Sequence, residues 1–100
     1  MIELVQTGYD DPLAFKVTVV EERRQHRYDV SVSCADFGRL TDGNCEPELL
    51  VRAAFRFLLD REPQEAIMSS FNVTVISSYF PEFESELPHY LSEVGADGSR

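Results

Sequence analysis

The chain has 100 residues, 43% of them hydrophobic and 11% aromatic, which suits one domain with a core of its own and leaves no room for a second. Its formal net charge is −9, from eighteen acids against nine bases, and such a surface repels phosphate backbones and anionic lipids, which argues against a nucleic-acid partner. No apolar run reaches the roughly 18 residues of a membrane span. The opening Met-Ile-Glu-Leu-Val-Gln lacks the basic-then-apolar pattern of a secretory leader, so the cytoplasm is the expected compartment.

In chain order, residues 2–6 suggest a short strand, with Ile2 and Leu4 alternating around Glu3 until Val5 breaks the pattern. Thr7-Gly-Tyr-Asp-Asp-Pro12 is turn material. Phe15 to Glu21 alternates, with Phe15, Val17 and Val19 on one face. Arg27 to Cys34 alternates as well, with Tyr28, Val30, Val32 and Cys34 on the inward face. Period two over both runs predicts half-buried strands, and the polar Glu22–His26 stretch between them predicts an antiparallel hairpin.

Ala35 to Cys45 reads as a connector with a turn at Asp42-Gly43-Asn44. Cys45-Glu-Pro-Glu48 marks a helix start, with proline in the first turn and a capping-box spacing from Cys45 to Glu48. The helix is expected from Glu46 to Asp60. Its polar positions, Glu48, Arg52, Arg56 and Asp60, step by four and form one narrow stripe with candidate Glu48–Arg52 and Arg56–Asp60 pairs. The rest is apolar, so the helix must be buried on several sides. The hairpin covers one side; the C-terminal third or a second copy of the chain covers another. Pro63 stops this helix and opens a short one to Ser69. Residues 71–80 carry both signals: Val73 and Val75 suit a strand, while the spacing of Ile76, Tyr79, Phe80 and Phe83 and the Asn72 cap favour a helix. A last helix runs from Pro81 to Leu91, bent near Pro88, and residues 92–100 read as a disordered tail. The expected fold class is α+β: an antiparallel β-hairpin of two or three strands packed on one main α-helix, with short C-terminal helices, in a single domain over residues 1–91.

Catalytic signatures are missing from the pattern. His26, His89, Cys34 and Cys45 have no ligand-like spacing, so no metal is expected. The two thiols read as reduced and structural. No nucleophile elbow or phosphate-cradling glycine loop occurs, so no catalytic residue and no cofactor is assigned. The acidic runs read as solvated faces, and a small domain offers little room for a carboxylate-lined cleft.

Two functional signals remain. Ala66 to Tyr79 reads as a helix-turn-helix, with the turn at Phe71-Asn72. Such a motif would place its second helix in a DNA groove, but it offers only Thr74, Ser77 and Ser78 and no lysine or arginine. The stronger signal is a candidate partner surface of Arg61, Glu62, Tyr79, Phe80 and Phe83, since aromatic and arginine side chains dominate interface energetics. The competing reading puts these rings in the core and Arg61 in a local ion pair. The leading expectation is a small non-catalytic protein-interaction or regulatory module with an unidentified protein partner, and a homodimer as one form of it. Nucleic-acid binding through residues 66–79 is the alternative, and an enzyme with an unrecognised site the third.

The V-x-V hairpin, the Arg39-Leu-Thr-Asp-Gly43 turn, Phe55-Arg-Phe-Leu-Leu-Asp-Arg-Glu-Pro63 and Ile76-Ser-Ser-Tyr-Phe-Pro-Glu82 together resemble a family of small uncharacterised bacterial proteins. The resemblance covers about residues 15 to 84. It implies a compact, soluble, intracellular α+β domain and carries over no catalytic residue.

Overall fold

A computed structural model of the chain describes residues 1–41 and 45–97. The Asp42-Gly43-Asn44 turn and the last three tail residues lie outside them. Among the described residues the sheet has four strands: β1 (Ile2–Gly8), β2 (Leu13–Glu21), β3 (Arg24–Val32) and β4 (Ser70–Asn72). Their spatial order follows the chain, with β1, β2 and β3 an antiparallel meander and β4 parallel to β3. The helices are α1 (Cys34–Thr41), α2 (Pro47–Leu59), α3 (Ile76–Tyr79) and α4 (Phe83–Asp97). The class is α+β, with a mixed sheet in place of a bare hairpin.

The alternation in β2 and β3 does what period two requires. Phe15, Val17 and Val19 of β2 and Tyr28, Val30 and Val32 of β3 are buried, because directly paired residues share a face of the sheet. The hairpin is tighter than its polar tip suggests. Pairing continues out to Glu21 opposite Arg24, so only Glu22 and Arg23 form the turn. Glu22 sits at φ 54°, the left-handed backbone that two-residue hairpin turns demand. The outer sheet face carries Glu3, Val5, Lys16, Arg27 and Asp29, all exposed, with Lys16 bridging to Asp29 at 3.0 Å.

β1 is longer than expected because Val5 belongs to the exposed face and does not break the strand. Met1 and Val20 exchange both backbone hydrogen bonds at 2.8 Å. On β1's other side, Arg52 donates to the Ile2 carbonyl at 2.8 Å and the Tyr9 hydroxyl donates to the Gln6 carbonyl at 3.2 Å. Arg52 is thereby spent on β1, and the expected Glu48–Arg52 pair does not form.

α2 is the centre of the molecule. Its start has Pro47 in the first turn and Glu46 at the N-cap, without the Cys45–Glu48 capping box. Phe55 and Phe57 are both fully buried. At 3.6 residues per turn they point about 200° apart. Phe55 meets the sheet side, with ring centroids 5.1 Å from Tyr28 and 5.9 Å from Phe71. Phe57 meets the C-terminal segment, 5.8 Å from Phe80, 5.0 Å from Phe83 and 5.7 Å from Tyr90. The second side of α2 is thus covered by its own chain: α4 lays Phe83, Leu87, Tyr90 and Val94 against it. That stripe explains why α4 continues past the expected end at Leu91, through Pro88, to Asp97. The six residues 92–97 are helix and not tail.

Two further expectations are corrected. The stretch read as a connector holds α1, whose first turn is capped by Ser33: its Oγ accepts the Asp36 N–H at 3.0 Å and its carbonyl accepts the Phe37 N–H at 2.8 Å. Cys34, expected on the inward strand face, is therefore the exposed first residue of α1. The helix-turn-helix geometry is also absent. Phe71 and Asn72 lie in β4, paired with Val30 and Ser31, because Phe71 is drawn to the inner face of the sheet. Asn72 caps a single 3-10 turn over Val73–Val75, accepting the Thr74 N–H at 3.0 Å, and the four-residue α3 follows.

Phe57 is fully buried between α2 and the C-terminal segment, so Phe57→Ala is expected to cost about 3–5 kcal/mol of unfolding free energy, read as a lowered midpoint in chemical denaturation.

Candidate functional site

The segment after α2 builds the most distinctive surface feature. Pro63 ends the helical run, and a 3-10 turn over Gln64–Ala66 follows. Gln64 is polar yet 0% exposed, so its amide must be satisfied inside the protein. Its Oε1 accepts from His26 Nδ1 at 2.6 Å, and its Nε2 donates to Glu21 at 3.0 Å. Its backbone carbonyl accepts the Tyr28 hydroxyl at 2.7 Å. Arg24 pairs with the neighbouring Glu65. The loop is thereby tied to the tip of the β2–β3 hairpin. From there the chain enters β4, where the Asp29 N–H donates to the Ser69 carbonyl at 2.8 Å.

Between this loop, the end of α2, β4 and α3 lies an apolar recess of about 210 Å³. Leu58, Ile67, Phe71 and Ile76 line its interior, and all four are buried. Met68, 42% exposed, and Tyr79, 66% exposed, stand at its rim with Glu62. The recess exists because the 3-10 turn and α3 are too short to bring side chains over the floor.

The structure divides the five sequence-predicted surface residues. Glu62, Tyr79 and Phe80 all line the recess. Arg61 belongs to the scaffold: its Nε is 3.1 Å from Glu82 and its Nη2 2.8 Å from Glu86, on the α4 side. The guanidinium carbon also lies 3.7 Å from the Phe57 ring centroid, a cation–π contact. A backbone N–H of its own residue and then Arg61 hold the Glu82 carboxyl below its ordinary range. Phe83 is 0% exposed and part of the core under α2, so it is not a surface residue. Met68 and Ile67 went unread because a helix was expected there.

The chemistry of the recess is mainly apolar. Its lining holds one carboxylate, Glu62, and one phenol, Tyr79, with no second acid or base converging on them. Among the described residues, no three His, Cys, Asp or Glu side chains converge as a metal would require. Burial pushes the Cys45 thiol up, against the opposing effect of its hydrogen bond with Thr41, which disfavours the reactive thiolate. Among the described residues no helix is long and apolar enough to cross a membrane.

The loop's anchorage has a pH signature. Burial first, then the charges of Glu65 and Glu21, push the Tyr28 hydroxyl up to about 12. The folded protein therefore keeps a proton that the unfolded chain releases near pH 10. Stability from this group is complete below pH 10 and declines as pH rises from about 10 towards about 12. Denaturation midpoints measured across that range should fall, and the fall should be shallower in Tyr28→Phe, which at neutral pH loses about 1 kcal/mol with its hydrogen bond.

Comparisons of this chain with protein-family models, with curated proteins and with solved structures return no match.

Proposed function

We propose that the protein is a small non-catalytic interaction module whose recess takes one bulky apolar side chain from a protein partner. The observation that carries this is a buried apolar floor beneath an exposed methionine and tyrosine. Met and Tyr are enriched at protein interfaces, and interface anchors fill small desolvated pockets. Size supports the reading as well. A cavity of about 150 Å³ lined by Leu, Ile and Phe holds benzene, so about 210 Å³ suits a single ring or branched side chain. Drug-sized ligands and substrates usually occupy roughly 300–1,000 Å³. The rigid attachment of the loop through Gln64 supports it too, since a preformed pocket spares the ordering cost of binding. On this reading the module works in the cytoplasm.

The test is affinity capture with three forms of the chain: unaltered, Met68→Asp at the recess, and Val5→Asp on the outer sheet face. A protein retained by the unaltered and Val5→Asp forms and lost from Met68→Asp is the expected result. Equal retention by all three would remove the recess from the function.

A further inference from the structure

The recess carries one charge, and its electrostatic setting points to the chemistry of the occupant. Glu62 is the charged residue of the lining. Among the described residues it has neither an ion pair nor a side-chain hydrogen bond. Three acids of the segments that follow α2 are engaged. Glu65 is paired with Arg24, Glu82 with Arg61 at 3.1 Å, and Glu84 with Arg39 at 2.8 Å. Arg61, next to Glu62 in sequence, is committed to Glu82 and Glu86 across on α4. From Glu62 to Pro88 the chain has no Lys, Arg or His, so all of the lining except Leu58 comes from a stretch without a cation.

Resting on the docking reading above, we infer that the occupant is a peptide segment of a partner protein in which a bulky apolar side chain stands beside a lysine or arginine. The apolar side chain enters the recess and the cation meets Glu62 at the rim. The net charge of −9 works in the same direction at longer range, drawing in basic segments and repelling acidic ones. A partner with an acidic residue beside its anchor would place like charges together at Glu62. Selection at this rim therefore comes as much from rejecting acidic segments as from binding basic ones. An exposed ion pair contributes modestly, so the discrimination expected from Glu62 is about 2–5-fold in affinity.

The experiment is a titration of the isotopically labelled full chain with short capped peptides, followed by the amide resonances of Met68 and Tyr79. The probes carry phenylalanine beside lysine, phenylalanine beside glutamate, and alanine beside lysine. The phenylalanine–lysine peptide is expected to move the recess resonances with the highest affinity. The phenylalanine–glutamate peptide should bind several-fold more weakly, and the alanine–lysine peptide should leave the recess unmoved. Glu62→Gln should reduce the difference between the two phenylalanine peptides, as should added salt. If both phenylalanine peptides bind equally to the unaltered chain, the cationic preference is overturned and the docking reading stands. If none of the three moves the recess resonances, the docking reading falls and takes the preference with it. A shift with the alanine–lysine peptide equal to that with phenylalanine–lysine would make Glu62 a nonspecific cation contact and overturn the inference.

Discussion

A helix that has to be buried on two opposite sides governs this molecule. α2 places Phe55 and Phe57 about half a turn apart, and neither ring tolerates water. One sheet satisfies the first ring. The second needs another layer, and the C-terminal segment supplies it. α4 does so with a stripe spaced 83, 87, 90 and 94, the repeat that keeps side chains on one face of a helix. The result is a sheet, a central helix and an outer helix. The hydrophobic surplus that would otherwise favour a second copy of the chain is covered from within.

The polar residues that follow α2 then hold this arrangement in register. Arg61 stacks on Phe57 four residues back and reaches two glutamates of the C-terminal segment. Asp60 accepts the Tyr90 hydroxyl at 2.5 Å. Gln64 turns the other way and locks onto the hairpin. Consecutive stretches of one short segment thus grip α4 and the sheet in turn. The recess is the gap left where that segment passes between them. Its walls come from elements positioned for other reasons: Leu58 by α2, Phe71 by the sheet and Ile76 by α3.

Legibility in the sequence followed the length of the periodic signal. β2, β3 and α2 were readable because seven to thirteen residues of clean alternation or helical spacing outweigh local noise. α1 was hidden: it spans eight residues, has Gly38 inside it, and its cap, Ser33, extends the alternation of the preceding strand. β4 has three residues, too few to show any period, and its strand character is imposed by β3 and by the burial of Phe71. The candidate site was half legible. Tyr79 and Phe80 stood out by composition, and the Phe57–Arg61 stack is a four-residue spacing visible in retrospect. Met68, Ile67 and the recess itself were not, because a concavity shared by four elements has no one-dimensional signature.

The outer margin of the sheet has one more consequence. Met1 and Val20 exchange both hydrogen bonds, so by antiparallel alternation Ile2, Leu4 and Gln6 turn their backbone groups away from β2. Such a margin is a template on which foreign strands polymerise. Here two of its three outward carbonyls are already occupied, one by the guanidinium of Arg52 and the other by the phenol of Tyr9. An incoming strand would find Leu4 with a free backbone between two residues whose carbonyls it must first strip of their donors. The chain thus blunts that margin against fibrillar growth with one arginine from its central helix and one tyrosine from a loop.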